Sequence, residues 1–174
     1  MASLAGVNTT LAAGTAGLTA LFFNLWLLER YTGEPFFDLR LAINGAISGL
    51  VSITSGCGVV EPWAAVATGF VAGILYIGSS NLLLKLRLDD AVDAIPCHLV
   101  NGMCGLISVG CLASPSRLLL AYGRDTHVGF FYSFSQGGAD ATLLGIQLCE
   151  ILFIIGWTSA VMFPFFVWLD WRGW

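Results

Sequence analysis

The chain has 174 residues, of which 57% are hydrophobic and only 10% charged, with a net charge of −4. Soluble domains carry about a quarter charged residues, so this composition excludes an ordinary water-soluble globular class and points to a membrane protein. Seven basic residues, scattered among eleven acidic ones, leave no basic patch for nucleic acid.

In chain order the sequence divides into five apolar runs, at residues 4–28, 39–60, 63–84, 94–113 and 143–169. A membrane-spanning helix needs about 20 mostly apolar residues, and each run supplies roughly that many. The runs are continuously apolar rather than alternating, which favours helices over a barrel. The first run has no basic start and is too long for a signal peptide. It leads into ERYTGEPFFDLR, a polar connector that contains Gly33 and Pro35. The second run carries GAISG at 45–49 together with Asn44 and Thr54, and closes on the turn SGCGVVEP. Pro62 then suits the first position of the next helix. The third run holds GFVAG at 69–73 and ends in the short charged turn KLRLDD. Small residues at this spacing let helix backbones approach closely. The longest connector, residues 114–142, has loop composition in SPSR, YGRDTH and SQGGAD. Its Phe130, Phe131, Tyr132 and Phe134 suit a membrane interface.

Five spans place the connectors on alternating sides. One side receives Arg30, Arg40, Lys85, Arg87 and Arg172; the other receives Arg117 and Arg124. An excess of basic residues marks the cytoplasmic side, so the chain's N-terminus is expected outside and its C-terminus in the cytoplasm. The expected fold is an all-α integral membrane protein with five transmembrane helices in the lipid bilayer, forming one domain over residues 1–174.

Cys57, Cys97, Cys104, Cys111 and Cys149 are odd in number and form no CxxC pair. They read as small apolar side chains rather than a disulfide or zinc framework. Cys97 and Cys104 share a helix face while His98 points elsewhere, so no metal site is expected. Asp89, Asp90 and Asp93 precede the fourth run, where acids complement the helix dipole and cap free amides. All three are assigned as a structural helix cap. His98 enters an otherwise apolar, glycine-dotted helix. An ionisable group there is costly unless it faces a cavity or a partner, and the residues alone leave open whether it lines a pathway or bridges two helices. Glu150, near one end of the fifth run, reads as a solvated or paired acid.

The stretch DDAVDAIPCHLVNGMCG resembles the signature of the ammonium transporter (Amt/Mep/Rh) family: DD, then D, then HxxxG. NGAISGLVSITSGCGVVEPWAA is similar to the preceding span and turn of eukaryotic Amt-type members, and VNTTLAAGTAGL and ILFIIGWTSAV resemble two further spans. The likeness runs through nearly the whole chain in order. It implies an eleven-span fold of two inverted five-span halves, of which these runs resemble the last five. It also implies a homotrimer in the plasma membrane, each protomer with a narrow hydrophobic pore and two histidines at its middle. His98 matches the second histidine, and Asn44 and Thr54 match positions near the inner lumen, although polar residues on helices also serve packing. The first pore histidine has no counterpart: His127 lies in a polar loop and does not replace it. The chain is therefore expected to be partial, without the first half, most of the external aromatic recruitment site, or a cytoplasmic tail. Pro96 and Asn101 depart from common family residues.

The function implied is transport of ammonium, with methylammonium as an analogue. Ammonium loses its proton outside, ammonia crosses an apolar lumen past His98, and the proton is regained inside. A cation is expensive in hydrocarbon and neutral ammonia is not, and an imidazole both donates and accepts. Two other readings stand beside it: a gas or ion channel of other selectivity, and a non-conducting ammonium sensor or packing fragment. No nucleophile–base set or cofactor motif points to an enzyme, and no cofactor is expected.

Overall fold

The computed structural model describes residues 1–32 and 37–173. Gly33 and Pro35 of the first connector lie outside the described residues. The described chain is all-helical: α1 (Ala2–Thr32), α2 (Leu39–Thr54), α3 (Pro62–Leu86), α4 (Ile95–Leu112), two short connector helices α5 (Pro115–Tyr122) and α6 (Phe130–Ser133), and α7 (Thr142–Trp171). Four of these, α1, α3, α4 and α7, are long and apolar enough to cross a membrane.

The second run departs from expectation. Its helix stops at Thr54 after 16 residues, about 24 Å at 1.5 Å per residue, against a hydrocarbon core of about 30 Å. Residues 55–60 form a turn instead, with Gly56 and Gly58 breaking the helical pattern and Val59 and Val60 tucked inward. The long connector also differs, because it contains helices. Ser114 precedes Pro115, which opens α5, and Gly123 closes it at φ 69°, a left-handed conformation that glycine adopts without steric cost. Pro164 sits inside α7. It lacks the N–H that would bond the carbonyl one turn back, yet the helix continues to Trp171.

α1 is the spine of the packing. Ala12, Ala16 and Ala20 are fully buried along one of its faces. Gly45 and Gly49 of α2 and Gly69 and Gly73 of α3 lie directly against that stripe. A Cβ at Gly69 would meet the Ala12 carbonyl oxygen at 2.5 Å, and one at Gly73 the Ala16 oxygen at 2.7 Å. Both GxxxG segments thus dock two helices on one alanine face. Along α1 the contacts run Gly45–Ala16 then Gly49–Ala12 for α2, but Gly69–Ala12 then Gly73–Ala16 for α3. α2 is therefore antiparallel to α1, and α3 parallel.

One end of the bundle is tied by polar groups. Asn8 donates to the carbonyls of Cys57 at 2.8 Å and Val60 at 2.9 Å, and the Ser114 amide bonds the Val59 carbonyl at 2.9 Å. Arg117 grips Glu61 with both arms, at 2.8 and 2.9 Å. That guanidinium holds the Glu61 carboxyl below its ordinary range and is itself raised by it. The start of α1, the α2–α3 turn and the α4–α5 link therefore share one end. The link from α3 to α4 sits at the other. α7 touches the bundle mainly through α4, where a Cβ at Gly110 would meet the Leu144 Cα at 2.8 Å.

Candidate functional site

α4 begins with three acids that do three different things. Asp90 accepts from the amides of Ala94 at 2.9 Å and Ile95 at 2.7 Å, satisfying the free donors of the helix start. Asp89 stays exposed. The Asp93 side chain does not cap the helix, contrary to the sequence-based assignment. It lies at φ 56°, a left-handed conformation incompatible with the extended backbone of a capping residue. Its carboxylate turns away from α4 and accepts from Tyr76 Oη at 2.9 Å, Ser80 Oγ at 3.0 Å and Asn44 Nδ2 at 3.3 Å. Only its main-chain carbonyl serves α4, accepting from the Cys97 amide at 3.0 Å.

Asp93 is thus buried at the junction of α2, α3 and α4. Sequence reasoning found the acid and missed its partners. Asp93 and Asn44 are 49 residues apart and Asp93 and Tyr76 17 apart, and no local pattern encodes such pairs.

The first six residues of α4, Ile95–Val100, form a π-helical turn. Such turns are rare and often occur at functional sites. Here Pro96 and Cys97 face inward, while His98 emerges on the surface of α4. Its imidazole borders a groove of about 150 Å³ walled by Gly102, Met103 and Leu106 of α4 and by Ile151, Ile154 and Ile155 of α7. Apart from His98 this wall is apolar.

Towards the end that carries Glu61 and Arg117, a second cavity of about 530 Å³ shares Leu106 with the first. Its lining is mixed: Ser55, Arg124, Thr126, His127, Gln147 and Glu150 stand beside Val59, Val109, Leu118, Tyr122 and Leu143. His127 pairs with Asp140 at 2.9 Å. Bonds from Thr142 and His127 hold the Asp140 carboxyl down at about 2, against an ordinary 3.8. A partly polar mouth therefore adjoins, at Leu106, an apolar groove that has one imidazole on its wall.

The three pathway residues predicted from sequence fall in different settings. His98 faces the groove. Asn44 is engaged by Asp93, and its carbonyl accepts from Cys97 Sγ at 3.7 Å. Thr54 is exposed at the end of α2 and donates to the Val51 carbonyl at 2.7 Å, beside Ser55 of the mouth. Among the described residues, no group of three His, Cys, Asp or Glu side chains is placed to hold a metal ion. All five cysteines are free.

The sequence matches the Ammonium Transporter Family over residues 1–172. It is 39% identical over 156 residues to the putative ammonium transporter 1 member 5 of Arabidopsis thaliana, covering 90% of this chain and 30% of that protein. It is also 39% identical to ammonium transporter 1 member 3 of Solanum lycopersicum, covering 92% of this chain and 34% of that one. The crystal structure of Candida albicans Mep2 superposes with a TM-score of 0.81 at 28% identity, over 96% of this chain and 34% of that chain. A structure described as a sensor Amt protein matches with a TM-score of 0.73 at 30% identity, over 97% of this chain and 36% of that one. The chain spans about a third of the length of these relatives. A match that runs through all of its spanning helices, in sequence and in fold alike, settles its kinship: the chain belongs to the ammonium transporter family.

Proposed function

We propose that this chain forms one wall of a transmembrane pathway for ammonium and ammonia. The observation that carries the reading is His98, a lone imidazole on an apolar groove wall beside a partly polar mouth. Ammonium arriving at the mouth sheds its proton there. Ammonia then moves along the Ile, Leu and Met surface, and His98 bonds it or holds the separated proton. The reason is desolvation: insertion scales place a charged side chain at a helix centre about 3 kcal/mol uphill, whereas a neutral amine avoids that penalty. Imidazole suits the task because each ring nitrogen donates or accepts according to tautomer.

The same reading places five spans in the plasma membrane, counting the short α2, with the 85–90 turn in the cytoplasm and the chain's N-terminus outside. The assembly is a homotrimer. Asn44 belongs to the pathway wall through its link to Asp93, and Thr54 through its place beside the mouth. The likeness to a sensor Amt protein favours a second reading, in which the same groove binds ammonium and signals without conducting.

The test replaces the matched segment of ammonium transporter 1 member 3 of Solanum lycopersicum with residues 1–172. Methylammonium and potassium currents in oocytes are then recorded at matched surface expression. Under the transport reading the chimera carries methylammonium current, and His98→Ala sharply reduces it or lets potassium through. His98→Asn and His98→Gln, which retain hydrogen bonding but not proton exchange, do not restore it. Unchanged currents and selectivity for His98→Ala would remove His98 from the pathway. Ammonium binding to the chimera without any current would favour the sensor.

A further inference from the structure

We propose that Asn101 is a positioning residue for His98. This rests on the reading of His98 as the pathway group. Asn101 is fully buried. It lies on the row Cys97, Asn101, Gly105, with four-residue spacing, and that row faces α2. Cys97 Sγ is 3.7 Å from the Asn44 carbonyl, and a Cβ at Gly105 would meet the Ser52 carbonyl oxygen at 2.6 Å. The Asn101 side chain reaches back across the π-helical turn, and its Nδ2 donates to the Pro96 carbonyl at 2.8 Å. Its backbone N–H bonds the His98 carbonyl. One residue thus holds two carbonyls within the wide turn, that of Pro96 through its side-chain amide and that of His98 through its own main chain.

The wide turn decides where His98 points. A π-helical turn holds one residue more than an α-helical turn. One residue corresponds to about 100° around the helix axis. If the turn tightened to α geometry while Asn101 and Gly105 kept their seat on α2, His98 would rotate away from α7 by an angle of that order. The carbonyl that Asn101 grips is five residues back, which is the spacing of the π ladder. The side-chain amide stabilises that spacing against the four-residue alternative.

The Asn101 Oδ1 has no hydrogen-bond partner among the described residues. Packing alone does not call for an amide whose oxygen is left unbonded in a buried site. The bond made by its nitrogen is what the residue contributes here.

The experiment uses the 174-residue chain in lipid vesicles with its five cysteines replaced. His98→Cys is combined with Ile154→Cys, and a short thiol cross-linker reports whether position 98 faces α7. Val109→Cys with Leu143→Cys, from one packed cluster of α4 and α7, reports that the two helices still meet. Asn101→Leu or Asn101→Ala is expected to lower the 98–154 yield at least threefold and leave the 109–143 yield unchanged. An unchanged 98–154 yield overturns the proposal. Loss of both yields in both variants overturns it too, because Asn101 would then hold α4 as a whole. In the oocyte chimera, Asn101→Leu should shift the methylammonium-to-potassium preference towards that of His98→Ala, and the double variant should go no further. If His98→Ala proves silent there, the pathway reading fails, while the cross-link yields still decide the role of Asn101.

Discussion

Asp93 joins three helices through side chains, so its removal should be costly, and by an amount that can be worked out. Hydrogen bonds between helices in membrane proteins average about 0.6 kcal/mol and reach about 1.7. Three such bonds converge on Asp93, from Tyr76, Ser80 and Asn44, for a sum of about 2–4 kcal/mol. The left-handed backbone at φ 56° adds about 1 kcal/mol for alanine, because aspartate and asparagine tolerate it and alanine does not. Asp93→Ala is therefore expected to destabilise by about 3–5 kcal/mol. Asp93→Asn should cost only about 1 kcal/mol. Its remaining oxygen accepts from Tyr76 and Asn44, and the Ser80 hydroxyl reverses to accept from the new amide. Tyr76→Phe removes a single bond and should cost about 1 kcal/mol. Added to Asp93→Ala it should cost almost nothing more, since the bond is already gone. The assay is helicity against SDS fraction in mixed micelles for the parent and the four variants. Parental stability for Asp93→Ala, or equal losses for Asn and Ala, would refute the network as a stabilising junction.

Gly69→Leu should destabilise by about 3 kcal/mol, because a side chain there meets the Ala12 backbone. Gly78→Leu, where a Cβ meets nothing within 4 Å, should be close to neutral; the same SDS titration compares the two. Leu86→Cys in a cysteine-free chain should react with an impermeant thiol reagent only after the cytoplasmic face is opened, and labelling in intact cells would invert the topology. The Asp140 carboxyl, lowered from 3.8 to about 2, contributes loop stability that is fully present above its unfolded value and is lost as pH falls through about 2. Hydrogen exchange at the Thr142 amide, bonded to Asp140 at 2.9 Å, should therefore keep its full protection factor above about pH 4, weaken as pH falls below 3.8, and lose the Asp140 contribution below about 2. Asp140→Asn should abolish that pH dependence, and a loss already complete at pH 4 would contradict it.

The sequence by itself determined the membrane class, the helical character, the approximate extent of four of the five long helices and the family. Each of these is local or summed information: run length, a proline at a helix start, a glycine at its end, and a motif with fixed spacing. GAISG and GFVAG announced close packing in the same way, but not that both would meet one alanine stripe on α1. The tertiary structure decided the rest. It turned Asp93 from a cap into a junction, because its left-handed backbone aims the carboxylate across 13 to 49 residues of chain. It ended the second helix after 16 residues, where Val59 and Val60 are buried in a turn against α4 and α1. It also set Asn44 at the Asp93 junction and Thr54 at the end of α2 beside Ser55, which the sequence did not indicate. Which partner a polar side chain finds depends on helix rotation and on the width of a single turn. Hydrophobic periodicity fixes neither, because an apolar face several residues wide buries almost equally well at neighbouring rotations.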